Sequence, residues 1–127
     1  MDPAIESYFT VKQQKNRLKM FLYLTDQDRD IPLDKKLLIS AQKINHGKFH
    51  NKYRGSLYRG VSRNGKSWQI LIMIDSEKIY LCTTDNPHQA AILYDYVIIQ
   101  AKGLGSKINF EYTKLDLLAI LFEKSIV

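Results

Sequence analysis

The sequence predicts an α+β fold, a three-stranded antiparallel sheet packed on one long helix, and three observations predict it. Short β-rich runs follow one another from Tyr58 to Thr83, separated by the turn-forming Asn64-Gly65 and by residues 75–78. Alternation along the middle run puts Trp68, Ile70, Ile72 and Ile74 on one face, with Gln69, Leu71, Met73 and Asp75 on the other. Asn86-Pro87 then supplies a capping side chain and a proline at the first helical position, and the helix it opens is expected to stop at Gly103. Within it Ala90, Ala91, Tyr94, Ile98 and Ala101 recur at helical spacing. The two small side chains, Ala90 and Ala91, let the backbone lie close to a sheet, which makes a two-layer core.

The remaining elements flank that unit. Residues 1–50 read as a partly helical N-terminal extension, suited to docking. Ile5, Tyr8, Phe9 and Val11 precede a polar basic run, Lys12 to Arg17, and suit a helix. Met20 to Leu24 is a strand or a helix end, and periodicity does not arbitrate so short a run. Thr25 to Asp30 is a charged break, after which Leu33 to Ile44 reads as a short helix with Asp34 near its positive end. Asn45 to Gly55 is a turn-rich basic linker. The central unit spans residues 57–110, with strands over 58–63, 68–74 and 79–83. Residues 111–127 form a C-terminal segment with a last helix from Lys114 to Phe122.

Composition narrows the function. The chain has 127 residues, 45% hydrophobic, with eight Tyr, five Phe and one Trp, enough for one compact core. No window approaches the roughly 18 consecutive apolar residues of a membrane span, and the acidic start, Met1-Asp2-Pro3-Ala4, has no signal-peptide pattern. The single cysteine, Cys82, allows no intrachain disulfide, points to a reducing compartment and removes cysteine-based zinc motifs. The net charge of +6 is unevenly spread. Between Asp34 and Asp75 there is no acid but there are nine bases: Lys35, Lys36, Lys43, Lys48, Lys52, Arg54, Arg59, Arg63 and Lys66. Such a block is the footprint of a phosphate-binding surface or, more plainly, a solvated basic face.

Catalytic chemistry is not expected. No nucleophile, base and orienter suggest a triad, and Cys82 has no histidine near it in sequence. His46 and His50 stand at i, i+4, but Gly47 between them argues against the helix a metal would need. Gly103-Leu104-Gly105 lacks the spacing of a phosphate loop, and His88 reads as a surface residue. No metal, cofactor, small-molecule substrate or membrane is expected as a partner.

Several stretches in order resemble the apetala-two/ethylene-response-factor type of DNA-binding domain. They are Tyr58-Arg59-Gly60-Val61, Gly65-Lys66-Ser67-Trp68, Tyr80-Leu81, Ala90-Ala91 with Tyr94-Asp95, and Ile108-Asn109-Phe110. The resemblance covers residues 57–110 and is silent on residues 1–50. It implies a sheet whose outer face lies in the DNA major groove, with the helix packed behind. It further implies that Arg59, Arg63, Lys66, Lys78 and Tyr80 stand at DNA-contacting positions; Lys52 and Arg54 of the basic linker are expected to join them on the ground of charge, not of resemblance. This chain departs from the pattern at Ser62, where a base-contacting arginine is common, and at Leu71 and Met73, where polar groups usually face DNA. Cys82 and Thr84 depart as well.

Two functions are therefore expected. The first is a nuclear DNA-binding protein, or a subunit of a nuclear complex, that holds double-stranded DNA mainly through phosphates. The second is an accessory subunit that joins larger nuclear proteins, such as a DNA- or chromatin-modifying enzyme. Apolar residues left over after one core is filled mark its protein interface: Leu71 and Met73 on the sheet, and Ile92, Tyr96 and Ile99 as a second stripe on the helix. The simpler reading of that stripe is cover by the N-terminal segment or the last helix.

Overall fold

The computed structural model of the chain describes residues 11–40 and 56–122. Its elements run α1 (Val11–Leu24), β1 (Lys36–Leu38), β2 (Val61–Asn64), β3 (Ser67–Ile74), β4 (Glu77–Thr84), α2 (Pro87–Lys102), a 3-10 turn (Gly103–Gly105), β5 (Tyr112–Thr113) and α3 (Lys114–Phe122). Strands β2, β3 and β4 form an antiparallel meander, and β1 pairs with β5 in a separate two-stranded ribbon. The α+β class expected from sequence is the class observed.

Helix α2 begins and ends on the residues its sequence offers. Asn86 has extended backbone, and its side-chain oxygen accepts from the N–H groups of His88 (2.8 Å) and Gln89 (3.3 Å). That satisfies two donors a helix start otherwise leaves open. At the far end Gly103 takes φ +63°, and its N–H returns to the Ile99 carbonyl. A Cβ there would stand 3.0 Å from the Asn16 carbonyl oxygen, so this glycine also admits the close approach of α1.

The core lies between the sheet and α2. Val61, Ile70, Ile72, Ile74 and Ile79 from the strands join Ala90, Ala91, Tyr94, Val97 and Ile98 of the helix, all buried in one cluster. Each isoleucine so buried contributes roughly 1.5–3 kcal/mol relative to exposure. Met20 and Leu24 of α1 and Leu117 and Ile120 of α3 belong to the same cluster. Polar ties reinforce this second layer. The Asn16 amide donates to the Ala101 carbonyl (3.2 Å), and the Gln100 amide donates to the Ile120 carbonyl (2.5 Å). Phe21 of α1 meets Phe122 of α3 edge to face. Met20 to Leu24 is thus a helix end, not a strand.

One element differs from expectation. Residues 33–44 read as a helix, whereas Lys36–Leu38 is strand β1 and residues 41–44 lie outside the described residues. The cause is tertiary. Lys36 and Leu38 pair with Thr113 and Tyr112, the N–H groups of Lys114 and Leu115 donate to the carbonyls of Lys35 and Leu33, and Lys36 forms an ion pair with Glu111 at 2.6 Å. Partners more than seventy residues away override a weak local preference. The linker at 45–55, with His46, His50, Lys52 and Arg54, also lies outside the described residues.

Candidate nucleic-acid interface

Strand register decides which side chains share a face. Val61 stands opposite Ile70, Ser62 opposite Gln69, and Arg63 opposite Trp68. On the other side of β3, Leu71 stands opposite Tyr80 and Met73 opposite Lys78. Because Ile70, Ile72 and Ile74 point into the core, the outer face carries Ser62, Gln69, Leu71, Met73, Lys78, Tyr80 and Thr83. The Gln69 amide donates to the Ser62 hydroxyl (2.9 Å), fixing that pair. Between Gln69 and Leu71 the register with β4 slips by one residue, a bulge that increases local twist.

Lys78 and Tyr80 are therefore exposed on the outer face. Lys66 is exposed in the β2–β3 hairpin loop. Arg63 does not share the face of Lys78. Its register partner is Trp68, and its guanidinium lies 5.1 Å from the centre of that ring. Arg63 is exposed at a corner of the sheet, on the helix-side parity, and the cation–π contact holds it there.

Arg59 also departs from the outer face. It sits in the turn before β2, half-buried, with a buried Nε that has no hydrogen-bond partner among the described residues. Its charge acts on the Tyr94 phenol, opposing the burial that raises that group above its usual range. Next to it, Gly60 has φ +78°, and any Cβ there would overlap the Tyr94 ring. The Gly60 carbonyl accepts from the Leu71 N–H (2.9 Å), joining this turn to the middle strand.

What positions Arg59 is a buried polar network centred on Asp95. Asp95 is fully buried on α2. Its carboxylate accepts from the Asn109 N–H (2.8 Å), the Asn109 side-chain amide (3.1 Å), the Phe110 N–H (3.0 Å) and the Tyr112 hydroxyl (2.8 Å). Asn109 in turn accepts from the Arg59 N–H (2.6 Å) and donates to the Arg59 carbonyl (3.0 Å). One carboxylate thus ties α2, the segment after it and the start of the sheet. Burial pushes the Asp95 carboxyl up, against the pull of the hydrogen bonds from Asn109, Tyr112 and Phe110. The Tyr112 phenol is raised too, first by burial and then by the Asp95 charge. A carboxylate inside the apolar run Ala90 to Ala101 was the available signal, since a buried charge needs partners.

A second tie steadies the β3–β4 hairpin. Asp75 and Ser76 both have positive φ, 49° and 70°, the pattern of a type I′ turn made without glycine. The Gln13 amide of α1 donates to the Asp75 carboxylate at 2.6 Å. The N-terminal helix therefore reaches the sheet as well as α2.

The expected protein-interface residues divide. Leu71, Met73 and Ile92 are exposed at 38%, 49% and 45%. Tyr96 and Ile99 are buried within the chain, which corrects their placement on a protein interface and agrees with cover of that stripe from within. Helices α1 and α3 both pack on α2. Ile92 borders an apolar groove of about 440 Å³ with Tyr96, Phe110, Tyr112, Ala119 and Ile120. Among the described residues no group of three His, Cys, Asp or Glu side chains is placed to hold a metal, and no helix is long and apolar enough to cross a membrane.

Comparison with known proteins gives a partial match. The chain is 37% identical to the AP2-like ethylene-responsive transcription factor PLT2 of Arabidopsis thaliana over 70 residues, 52% of this chain and 12% of that protein. It is 33% identical to AIL7 and 34% to AIL6, two further AP2-like ethylene-responsive transcription factors of that plant, again over 70 residues and 52% of this chain, with 14% and 12% of theirs. No family model matches the chain, and no solved structure matches it significantly. The chain is similar over about half its length to a small part of three AP2-like transcription factors.

Proposed function

We propose that residues 57–110 are a divergent DNA-binding unit of the apetala-two/ethylene-response-factor type, which holds duplex DNA mainly through its phosphates. The observation that carries this reading is the outer face of the sheet. Among the described strands its outward residues include Lys78 and no carboxylate; Lys66 and Arg63 stand exposed at the β2–β3 end, and Asp75 and Glu77 at the β3–β4 end. Arg59 serves more as an anchor of the first strand than as a free cation. The three relatives are named as transcription factors, which supports a regulatory role on DNA, a nuclear setting and the absence of enzymatic activity. Contacts of this kind position a protein on the duplex more than they specify a sequence.

The test is a titration against random-sequence duplex at two salt concentrations, with the mass measured in the same buffer. With about 4–6 phosphates neutralised, log K falls against log salt with a slope near −0.9 per contact. A salt-insensitive or absent interaction overturns the reading.

Exposed Leu71, Met73 and Ile92 favour a second reading, an accessory subunit of a larger nuclear DNA- or chromatin-modifying assembly. On that reading Met73→Asp or Ile92→Asp releases a protein partner and leaves a folded monomer, while DNA affinity is weak from the outset.

A further inference from the structure

The outer face raises a question that phosphate contact does not answer. Its centre is apolar. Leu71, Met73 and Tyr80 are 38%, 49% and 51% exposed, in a chain whose other strand face is almost wholly buried. Tyr80 stands directly opposite Leu71, and Lys78 directly opposite Met73, so the four side chains form one patch on the β3–β4 ribbon. Gln69, Ser62 and Thr83 continue the face beyond the bulge. Among the described residues no arginine lies on it, since Arg63 belongs to the Trp68 side.

On this face only Lys78 could meet guanine, whose major-groove edge offers two acceptors best met by arginine or lysine, and it stands at the margin of an apolar centre. The major-groove feature that an apolar side chain meets well is the 5-methyl group of thymine. Spacing agrees. Leu71 and Met73 are two residues apart on one strand, roughly 6.8 Å along it, and two base-pair steps span roughly the same distance at 3.4 Å each. A two-stranded ribbon fits the width of the major groove. Cationic Lys78 beside the patch and Lys66 in the neighbouring loop suit a polyanionic occupant; the nearest exposed carboxylates, Asp75 and Glu77, lie at the β3–β4 turn, where Asp75 accepts from Gln13 of α1.

We infer that Leu71 and Met73, flanked by Tyr80, form a thymine-methyl reading surface that gives this chain a preference for A·T-containing duplex. The inference rests on the proposed DNA-binding function and deepens it. Phosphate contacts supply most of the affinity, and the apolar patch supplies the discrimination. A methyl group removed from water against Leu71 or Met73 is worth about fourfold in affinity.

The full chain is titrated against an A·T-rich duplex and against the same duplex with every thymine replaced by deoxyuridine, which removes only the 5-methyl groups. A G·C duplex and its 5-methylcytosine counterpart supply the reverse change, because that methyl also projects into the major groove. The expected result is binding weakened about fourfold or more by uracil and strengthened by 5-methylcytosine. Both differences vanish in the Leu71→Ser/Met73→Ser variant, whose fold is checked by circular dichroism and whose residual binding keeps its salt slope. Equal affinity for thymine and uracil duplexes overturns the inference and leaves the phosphate-binding function intact. Discrimination that survives in the double variant also overturns it, because the methyl would then act through DNA shape. Absence of binding to every duplex, or association of the chain with itself through this face, overturns both the inference and the function beneath it.

Discussion

The two faces of the three-stranded sheet are built from alternate residues of the same strands and are opposite in kind. Inward, Ile70, Ile72, Ile74 and Ile79 are at most 5% exposed and sit against α2. Outward, Leu71, Met73 and Tyr80 remain between 38% and 51% exposed beside Lys78. The inner side of β3 is apolar throughout, with Trp68, Ile70, Ile72 and Ile74, whereas the outer side sets Leu71 and Met73 beside Ser67 and Gln69. One face carries stability, and the other is left for an occupant. The comparison also explains why the helices crowd behind the sheet. With α1 and α3 both packed on α2, the outer face is the side of the sheet that these helices leave open.

The comparison can be broken most severely behind the sheet. Asp95→Ala leaves the partly buried Asn109 and Phe110 N–H groups and Tyr112 hydroxyl without their acceptor. At ~1–3 kcal/mol for each unsatisfied group, partly relieved by water, the expected loss is about 4 kcal/mol in urea unfolding. A loss under about 1 kcal/mol would show that the network is incidental. Next comes a matched pair on one strand. Ile72→Ala should cost about 3 kcal/mol as a core truncation, whereas Leu71→Ala, one residue away, should fall within about 0.5 kcal/mol. Equal effects at the two positions would erase the difference between the faces.

A smaller effect separates the faces by pH. Burial raises the phenols of Tyr94 and Tyr112 in the folded state. Their contribution is fully present below the unfolded phenol value of about 10 and is lost as pH rises through the folded values. Stability should therefore decline above about pH 10, and Tyr112→Phe should flatten that decline while losing its hydrogen bond to Asp95. No alkaline decline in denaturation midpoints would contradict the assigned burial. The smallest change is on the outer face itself. Lys78→Ala should leave stability unaltered and reduce the salt slope of duplex binding by about one contact.

Much of the fold was legible because its signals are local. Asn86-Pro87 and Gly103 mark both ends of α2, and alternation from Trp68 to Ile74 sorts β3 without any partner. The readings that changed each depended on something distant. β1 exists because Lys36 and Leu38 meet Thr113 and Tyr112. Arg63 changes face because alternation within β2 is too short to fix its own parity, and only the pairing of Val61 with Ile70 does so. Tyr96 and Ile99 looked like an open stripe because a single helix cannot reveal what packs behind it. For the site, Lys78 and Tyr80 could be placed from strand three alone, whereas the role of Asp95 required the chain to bring Asn109 and Tyr112 to it.

The central claim is that the outer sheet face meets duplex DNA. The most direct test is to follow backbone amide resonances of the ¹⁵N-labelled chain while random-sequence duplex is added. Shifts are expected to concentrate at Ser62, Lys66, Gln69, Leu71, Met73, Lys78 and Tyr80, with α1 and α3 undisturbed. Shifts confined to the groove beside Ile92, or none at all, would contradict it.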